Sequence, residues 1–479
     1  MKKSRIILTA GLCLFSLTAC TVGPDYTRPS TPEQTGWKGR TATTASVLPA
    51  KWWRIFKDPG LNALEEQAID ANQNLQRAVA RVTEARALAG ITKSEWYPTV
   101  TAGGSYSRNR SSANSPEFPD GAQRPKLESN EYRASFDLSY ELDVWGRVRR
   151  SVEAANADAE SVASDLQVVL LTLTADVARN YCLLRSLDAE KSVLDSTIAM
   201  RKDEVHLQKT RNAGGLNNAL DETRAETELA SAEGDLHSIV RERAQVEHAL
   251  AVLCGRPAGE FSVKANPSNV SPPSIPVGLP SSLLERRPDI VKAEQEMQAS
   301  NARIGVAKAA FFPTISLTGG AGFASADLGS FLNWPSRTWS FGPGVHLPIF
   351  DGGKNKANLG AANARYEQAV ANYRGVILQS FREVEDALSD LSTLSAQTAA
   401  AGRAIASSRD TASLAAERYR TGLTNYLDVV DARRAVLQAE RLDRQLRGQS
   451  AVSTILLAKA LGGGWDRGSS SPQILTAAR

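Results

Sequence analysis

The sequence predicts a mainly α-helical protein with a small number of β-strands, arranged as two tandem repeats. The segment Gly215-Leu-Asn-Asn-Ala-Leu-Asp221 returns as Gly422-Leu-Thr-Asn-Tyr-Leu-Asp428, a shift of 207 positions from 215 to 422. Long proline-free stretches carry apolar residues every three or four positions, a spacing typical of helices. Shorter stretches alternate apolar and polar residues, which is the period of a strand. Two similar halves suit a ring or a tube better than a single catalytic cleft.

The same interval separates other landmarks of the two repeats. Gly146-Arg147 and Gly353-Lys354 are followed, at equal distance, by the tetrapeptide Ala-Ala-Asn-Ala. A segment rich in proline joins the two copies and reads as a linker. The predicted organisation is a signal peptide (1–19), a lipidated N-terminal arm (20–60), a first repeat (61–255), a linker (256–282), a second repeat (283–462) and a C-terminal tail (463–479).

The first nineteen residues have the pattern of a signal peptide. Lys2, Lys3 and Arg5 precede an apolar stretch, 6–17, that is too short to cross a bilayer as a permanent helix. Removing this segment takes three positive charges away and lowers the formal net charge from +4 to +1. The mature chain therefore lacks the basic field that a nucleic-acid partner requires, and no nucleic acid is expected.

The end of the signal peptide resembles a bacterial lipobox. Small residues precede a cysteine in Leu17-Thr18-Ala19-Cys20, and in such lipoproteins the cysteine becomes the acylated N-terminus, with palmitate among its acyl chains. Cys20 is the predicted lipidation site, and this covalent lipid is the only expected prosthetic group, with no cofactor or metal. The alternative is an ordinary cleavage site beside an incidental cysteine. Thr21 replaces the aspartate that retains similar lipoproteins at the inner membrane, so the resemblance implies sorting to the outer membrane.

The remaining cysteines and the hydropathy pattern limit the mature chain further. Cys182 and Cys254 lie within helical patterns and are expected to be small buried apolar groups, although a disulfide between them stays open. After residue 19 there is no run of about 20 consecutive apolar residues, the length of a membrane-spanning helix. A mature chain that crosses a membrane must therefore do so with strands.

The longest predicted helix covers 147–213, which contains neither glycine nor proline. If unbroken, it would extend roughly 100 Å at about 1.5 Å per residue, well beyond the diameter of an ordinary domain. Its counterpart in the second repeat, 354–421, is also free of proline but carries three glycines. Shorter helices are predicted at 61–96, 219–253, 289–311 and 426–461, and prolines bound two of them.

Each repeat also supplies one pair of strands. From Tyr132 to Asp143 the chain alternates without a fault between apolar and polar residues. Weaker alternation marks the other three segments, and the connections between paired strands are rich in Ser, Pro, Asn and Gly, as exposed loops are. The predicted strands are 99–108, 132–143, 314–323 and 338–349.

Strands of this length with one apolar face match the ~9–11 residues of a tilted transmembrane strand. A soluble sheet half buried on long helices is the alternative. Four strands cannot close a barrel, and an open edge is not tolerated in hydrocarbon, so the membrane interpretation requires several chains to share one barrel. Two chains would give eight strands around a filled interior, and three would give twelve, wide enough for a lumen. We therefore favour a trimer if the protein conducts.

Several motifs together resemble the outer membrane factor family of TolC-like ducts, and its lipoprotein branch in particular. They are the lipobox, the paired segments Lys93-Ser-Glu-Trp-Tyr-Pro-Thr99 and Lys308-Ala-Ala-Phe-Phe-Pro-Thr314, Leu284-Glu-Arg-Arg-Pro-Asp289, and Arg418-Tyr-Arg-Thr-Gly-Leu-Thr-Asn-Tyr-Leu-Asp428. The resemblance covers nearly the whole mature chain. It implies a homotrimer with a twelve-stranded outer-membrane β-barrel and a twelve-helix periplasmic α-barrel. It also implies two protein partners, a periplasmic adaptor and an inner-membrane efflux transporter, beside outer-membrane lipid.

The repeated Gly-Leu segments are predicted to be the turns of two helical hairpins. Gly215 and Gly422 would end the long helices, and Asn218 and Asn425 would cap the helices that follow. In the family these hairpins form the periplasmic tip where adaptor helices dock. The resemblance therefore implies six adaptor contacts: Gly214, Gly215, Leu216, Thr421, Gly422 and Leu423.

Three residues of the second hairpin are spaced four apart and share a helical face, namely Leu423, Leu427 and Asp431. In a threefold assembly such residues would form rings, and the matched positions of similar ducts line a closed constriction. The resemblance therefore implies a gate made by these three residues. The alternative is a coil seam with a solvated Asp. The first repeat places Arg224 at the position of the acid, where it would pair with a carboxylate and lock the tip.

The function that these patterns favour is a passive outer-membrane exit duct for drugs or other small organic compounds, served by a tripartite efflux pump. The alternatives are the exit duct of a protein-secretion system and a lipid-anchored, non-conducting coiled coil that spans the periplasm. An enzyme is not expected, because none of the common hydrolase, nucleotide-binding or zinc-protease motifs is present. The few His, Met and Cys residues make a soft-metal relay an unfavoured cargo path.

Overall fold

The structure, a computed structural model of the chain, describes residues 21–38, 48–112, 128–268, 272–278 and 280–465. The signal peptide and the predicted lipidation site Cys20 lie outside these residues. The helices are α1 (Pro59–Ala71), α2 (Gln73–Ser94), α3 (Arg147–Ala213), α4 (Ala219–Leu253), α5 (Leu283–Arg286), α6 (Pro288–Ala309), α7 (Lys354–Arg420) and α8 (Tyr426–Ala460). The strands are β1 (Thr99–Arg110), β2 (Glu128–Leu142), β3 (Thr314–Ser325) and β4 (Arg337–His346).

The chain divides into two compact units, each built from three separate stretches of sequence. The sheet unit comprises the described residues of 1–29, 83–161 and 294–372, and the helix unit those of 30–82, 162–293 and 373–479. The two repeats contribute matching elements. Helices α3 and α7 both have 67 residues, and α4 and α8 both have 35.

The sheet unit holds one four-stranded antiparallel sheet in the order β1-β2-β3-β4. Within the described residues, β1 and β4 are therefore edge strands. Strand β4 ends at His346, three residues before the predicted end, because Pro348 cannot donate a ladder hydrogen bond. Pro343 lies inside β4, opposite Leu317 of β3, and has no N–H to donate to a ladder.

The helix predicted over 61–96 is in fact two helices, α1 and α2, separated at Asn72. The backbone of Asn72 is extended, with ψ 121°. Its Oδ1 accepts a hydrogen bond from the backbone N–H of Leu75 at 3.0 Å, and its Nδ2 donates to the carbonyl of Leu253 at 2.9 Å. An asparagine that bonds the backbone locally in this way competes with the helical ladder, which is why the helix breaks there.

One core cluster of the helix unit is formed mainly by residues of α1 to α4. Of the described helices, α3 alone contains a stretch long and apolar enough to cross a membrane, a test that a core helix also passes. Leu173, Val177 and Leu184 of α3 are buried in this cluster, so packing accounts for part of this apolar stretch. Cys182 and Cys254 are also buried and free, as small core groups, and burial raises the pKa of both thiols.

Glu65 of α1 is an exception to the apolar core. Its side chain is fully buried, and neither carboxyl oxygen has a hydrogen-bond partner among the described residues. Burial raises the pKa of Glu65 to about 9, because a charged carboxylate loses its hydration there. The carboxyl group is therefore protonated at neutral pH in the folded protein.

This buried acid predicts a pH dependence of stability. Unfolding returns Glu65 to water, where its pKa is 4.5, so the folded state binds the proton more tightly. The free energy of unfolding should fall by roughly 1 kcal/mol per pH unit as pH rises from about 4.5 to about 9. Glu65→Gln removes this slope, and the variant should melt at a higher temperature than the parent near the upper end of that range.

Circular-dichroism melts of the detergent-solubilised protein across this pH range would measure the effect. Glu66→Gln is the matched control, because Glu66 is exposed and its hydrogen bonds with Lys51 and Arg54 hold its pKa below the usual value. Equal slopes for the parent and Glu65→Gln would contradict the prediction.

Candidate functional site

The two helical hairpins of the helix unit turn at glycines in the left-handed region. Gly215 has φ +73° and Gly422 has φ +75°, a conformation that strains any residue with a Cβ. After each glycine the next N–H returns to the helix: Leu216 donates to Arg211 and Leu423 donates to Arg418, both at 2.8 Å. The predicted helix ends are confirmed.

The helices that follow begin with the predicted asparagine caps. The Oδ1 of Asn218 accepts from the N–H of Asp221 at 3.2 Å, and the Oδ1 of Asn425 accepts from the N–H of Asp428 at 3.1 Å. Each cap satisfies one of the free donors of the first helical turn. The two repeats therefore build the same turn from the same residue types.

All six predicted adaptor contacts are exposed at these turns. Leu216 is 72% exposed and Leu423 is 69% exposed, although both are large and apolar. The remaining four, Gly214, Gly215, Thr421 and Gly422, are also exposed. Exposed leucines at the head of a tight turn are suited to contact with another apolar surface. The adaptor role itself stays a prediction.

Contacts between the two hairpins lie close to the turns. The Tyr419 hydroxyl donates to Gln208 Oε1 at 3.2 Å, and Asn217 Nδ2 donates to the same oxygen at 2.6 Å. The Arg211 guanidinium lies 5.0 Å from the Tyr419 ring centre. Sequence reasoning missed this network, because no periodicity brings a residue of α3 to one that lies 211 positions later.

Beneath this network the hairpins share a small apolar core. Val205 of α3 and Ala225 of α4 pack with Tyr426, Val429 and Val430 of α8. All five are buried, so the two turns are held in a fixed relation by packing as well as by hydrogen bonds. Because these residues of α8 face the core, the 3.6-residue period of the helix leaves its other face exposed.

The predicted gate residues lie on this exposed face of α8 and at the turn before it. Leu427 is 37% exposed and Asp431 is also exposed. Asp431 lies 3.3 Å from Arg434, and Arg434 Nε donates to Glu228 of α4 at 2.8 Å. The hydrogen bond to Glu228 raises the pKa of Arg434, which keeps its charge. The acid is therefore tied to the first hairpin through one arginine.

Arg224, the predicted tip lock, has a nearer partner within its own helix. Its guanidinium lies 3.7 Å from the carboxylate of Asp221, one turn earlier. The pair lies within one helix, and pairs of this kind stabilise a helix only weakly. Within the described residues, ion pairs between the two hairpins are instead made by arginines of α8: Arg434 with Glu228, Arg433 with Glu204, and Arg441 with Glu190 and Asp235.

The sheet presents two chemically different faces. In the pairing, Ala102 lies opposite Phe136, which lies opposite Ala321, which lies opposite Trp339, so these residues share one face. That face is apolar along most of its length, and Phe136 is 64% exposed. The residues of the other face are mainly Ser, Thr and Gly, with Arg133, Asp137 and Glu141.

Comparison with known proteins identifies this arrangement. The family model described as "Outer membrane efflux protein" matches residues 64–256 and 279–463, which is most of the chain. The chain belongs to the outer membrane efflux protein family. This is a family of outer-membrane channels and not of enzymes.

Relatives of this family member align over nearly their full length. The toluene efflux pump outer membrane protein TtgI of Pseudomonas putida is 35% identical over 463 residues, covering 94% of this chain and 97% of that protein. The cation efflux system protein CusC of Escherichia coli is 32% identical over 458 residues, with the same coverage. The solved outer-membrane channel OprN has a TM-score of 0.85 and 32% identity, covering 93% of this chain and 100% of that chain.

These likenesses establish the location and the general role of this efflux protein. It is an outer-membrane efflux protein with a periplasmic extension, and it forms the exit duct at that membrane. The apolar face of the sheet is consistent with that location, since Val100, Phe136 and Trp339 on it are exposed. The hairpin turns lie in the helix unit.

Proposed function

We propose that this outer membrane efflux protein works as a homotrimer in which three four-stranded sheets close one twelve-stranded transmembrane β-barrel. Four long helices from each chain, α3, α4, α7 and α8, would continue the barrel as a twelve-helix periplasmic α-barrel. The duct would passively conduct drugs or other small organic compounds from a periplasmic adaptor and an inner-membrane transporter to the outside.

The observation that carries the proposal is the sheet itself. Its apolar face is exposed, and its edge strands β1 and β4 have no neighbour within the described residues. Lipid is the solvent that suits such a face, and an edge in hydrocarbon must find a partner. Pairing β4 of one chain with β1 of the next gives both edge strands a hydrogen-bonding neighbour. Three chains leave a lumen, whereas two would leave a filled barrel.

The polar face of the sheet supports the proposed cargo, which is small organic compounds. It would line the lumen with hydroxyl groups and a few charges, which resembles the polar interior of water-filled barrels. His346 is the only side chain of this face, within the described strands, that softer metal ions prefer. Of the two relatives, one is named for toluene efflux and the other for cation efflux, and this polar, ligand-poor face favours a cargo of the first kind.

A lipid anchor at Cys20 completes the proposed attachment to the membrane. The arm just after it is fixed at the end of β2, because the N–H of Val22 donates to the carbonyl of Trp145 at 3.0 Å. A Cβ on Gly146 would lie 2.6 Å from the methyl group of Thr21, so the arm packs closely there. Thr21, which follows Cys20 in the sequence, therefore lies just beyond the end of β2 where the chain enters α3.

Single-channel conductance tests the duct and the gate together. Replacing Leu427 and Asp431 with alanine removes the apolar ring and the acid that Arg434 holds, so the double variant should conduct several-fold more than the wild type in planar bilayers. The same variant should admit more antibiotic into intact cells. Leu442→Ala is the matched control, because Leu442 is an exposed leucine further along α8.

Each outcome has a distinct meaning. Wild-type conductance from the double variant would show that Leu427 and Asp431 do not form a gate. Absence of any conductance from both proteins, when assembled in lipid, would instead favour the non-conducting coiled coil. Passage of an unfolded polypeptide, but not of small organic compounds, would favour a secretion duct.

A further inference from the structure

Three arginines lie at one end of the apolar face of the sheet. In the register, Arg108 is opposite Asn130 and Arg110 is opposite Glu128, while Arg337 is opposite Phe323. All three share the face of Tyr106, Phe136 and Trp339, because side chains two positions apart in a strand point to the same side. All three are exposed. This end is the one away from the helices, since it is where β1 ends and β4 begins.

The charges of these arginines are only partly neutralised. Arg108 and Arg110 share a single carboxylate, that of Glu128, at 2.7 and 3.3 Å. Arg337 has no carboxylate within ion-pair distance among the residues that the structure describes. Its guanidinium lies 4.7 Å from the ring centre of Trp334, and its Nη1 donates to the carbonyl of that residue at 3.0 Å. The four charged groups together carry an excess of positive charge.

Large apolar side chains surround the arginines. Leu332 is 73% exposed, Trp334 is 71% exposed and Trp339 is 78% exposed. The opposite end of the same face carries Val100 and Val345, which are uncharged. On the strands themselves, arginines and exposed aromatic residues occur together at this outer end, whereas at the other end the exposed cation–aromatic pair is that of Lys93 with Trp96, which precedes β1. The larger positive charge at the outer end favours a ligand that is itself restricted to one leaflet.

We propose that this patch, consisting of Arg108, Arg110, Arg337, Trp334 and Trp339, binds the phosphorylated glycolipid of the outer leaflet, lipid A. The guanidinium groups would bind its phosphates, a pairing that arginine makes with two parallel hydrogen bonds. The tryptophan side chains would pack on its acyl chains. The glycolipid combines phosphate with several chains in one molecule, which matches the juxtaposition of charge and apolar surface.

The proposal rests on the barrel described above. When β4 of one protomer pairs with β1 of the next, Arg337 comes to the same end as the next protomer's Arg108 and Arg110, because both strands have their outer ends there. The patch is therefore continuous across each of the three seams. A glycolipid bound there would bridge two protomers.

Binding of purified lipid A tests the site directly. The full-length trimer in detergent is titrated with hexa-acyl diphosphoryl lipid A, and bound lipid is counted by native mass spectrometry. The variant R108Q/R110Q/R337Q should bind about tenfold more weakly or worse, because each arginine near an anionic lipid contributes to binding. Arg133→Gln is the matched control, since Arg133 lies near the same end of β2 but on the opposite face.

Monophosphoryl lipid A should bind the wild type more weakly than the diphosphoryl form, and phosphatidylglycerol more weakly still. Equal binding of lipid A by the triple variant and the wild type would overturn the site. Equal binding of phosphatidylglycerol and lipid A by the wild type would overturn the choice of ligand. Conductance of the same wild-type preparation separates these results from a failure of the barrel, because a conducting trimer that ignores lipid A refutes only the glycolipid site.

Discussion

Gly322→Ala should abolish assembly of the proposed outer-membrane trimer, whereas Gly342→Ala should leave it unchanged. A Cβ built on Gly322 of β3 would overlap the carbonyl oxygen of Ala134 and would lie 2.6 Å from the Cα of Ser135, both in β2. These are backbone atoms of the neighbouring central strand, so no side chain can move aside. The two strands would have to separate, and the ladder that joins the two repeats would break.

Gly342 of β4 provides the control, because a Cβ there meets nothing within 4 Å. Both substitutions add one methyl group to the same face of the same sheet, so intrinsic propensity and hydrophobicity change equally. The amount of trimer in outer-membrane fractions, followed as heat-modifiable mobility on gels, measures the effect. Normal trimer from Gly322→Ala would show that the contact between β2 and β3 is looser than the structure has it.

The contrast between these two glycines could not be predicted from the sequence. Both lie in alternating stretches, and only the register of β2 against β3 decides which one meets a backbone. The strand pattern nevertheless predicted β2 well, since the alternation from Tyr132 to Asp143 reflects one face in lipid or core and the other in water. Local chemistry thus indicated the strand, and pairing between distant segments determined what each position tolerates.

The long helices were predicted most accurately for a similar reason. Helix α3 covers Arg147–Ala213, the predicted bounds, because glycines that suit tight turns occur on both sides of an unbroken helical pattern. The break at Asn72 was missed, since an asparagine inside a helical pattern is ambiguous until its partner is known. That partner is the carbonyl of Leu253, which lies 181 positions away.

In the candidate site, too, local features could be predicted from the sequence and contacts between distant segments could not. The turn glycines and their asparagine caps could be predicted, because the conformation is local and both repeats carry it. The link from Asp431 through Arg434 to Glu228 could not, since it joins α8 to α4 across 206 positions. Arg224 stays a predicted lock; its guanidinium lies near Asp221 of its own helix, and symmetry did not indicate that Arg434 would join α8 to α4.

Gly422→Phe should abolish efflux while leaving the proposed trimer assembled, and Gly422→Ala should retain most of the efflux. The φ of +75° strains any side chain at this position by roughly 1–2 kcal/mol, a cost that the two variants share. A Cβ at Gly422 meets nothing within 4 Å, so the methyl group of the alanine variant has room at the turn. Only the phenyl group adds bulk to the exposed turn beside Leu423, where an adaptor is proposed to dock.

The comparison of the two variants separates docking from folding. Drug susceptibility is measured in cells that express the cognate adaptor and transporter but lack any other duct, and trimer levels are measured in the same cells. Susceptibility that rises with Gly422→Phe alone, at equal trimer levels, supports docking at the turn. Loss of efflux by both variants would instead assign the effect to backbone strain, which changes the shape of the turn whatever docks there. Full efflux from Gly422→Phe would place the adaptor elsewhere on the helices, because a contact that buries Leu423 has no room for a phenyl group one residue before it.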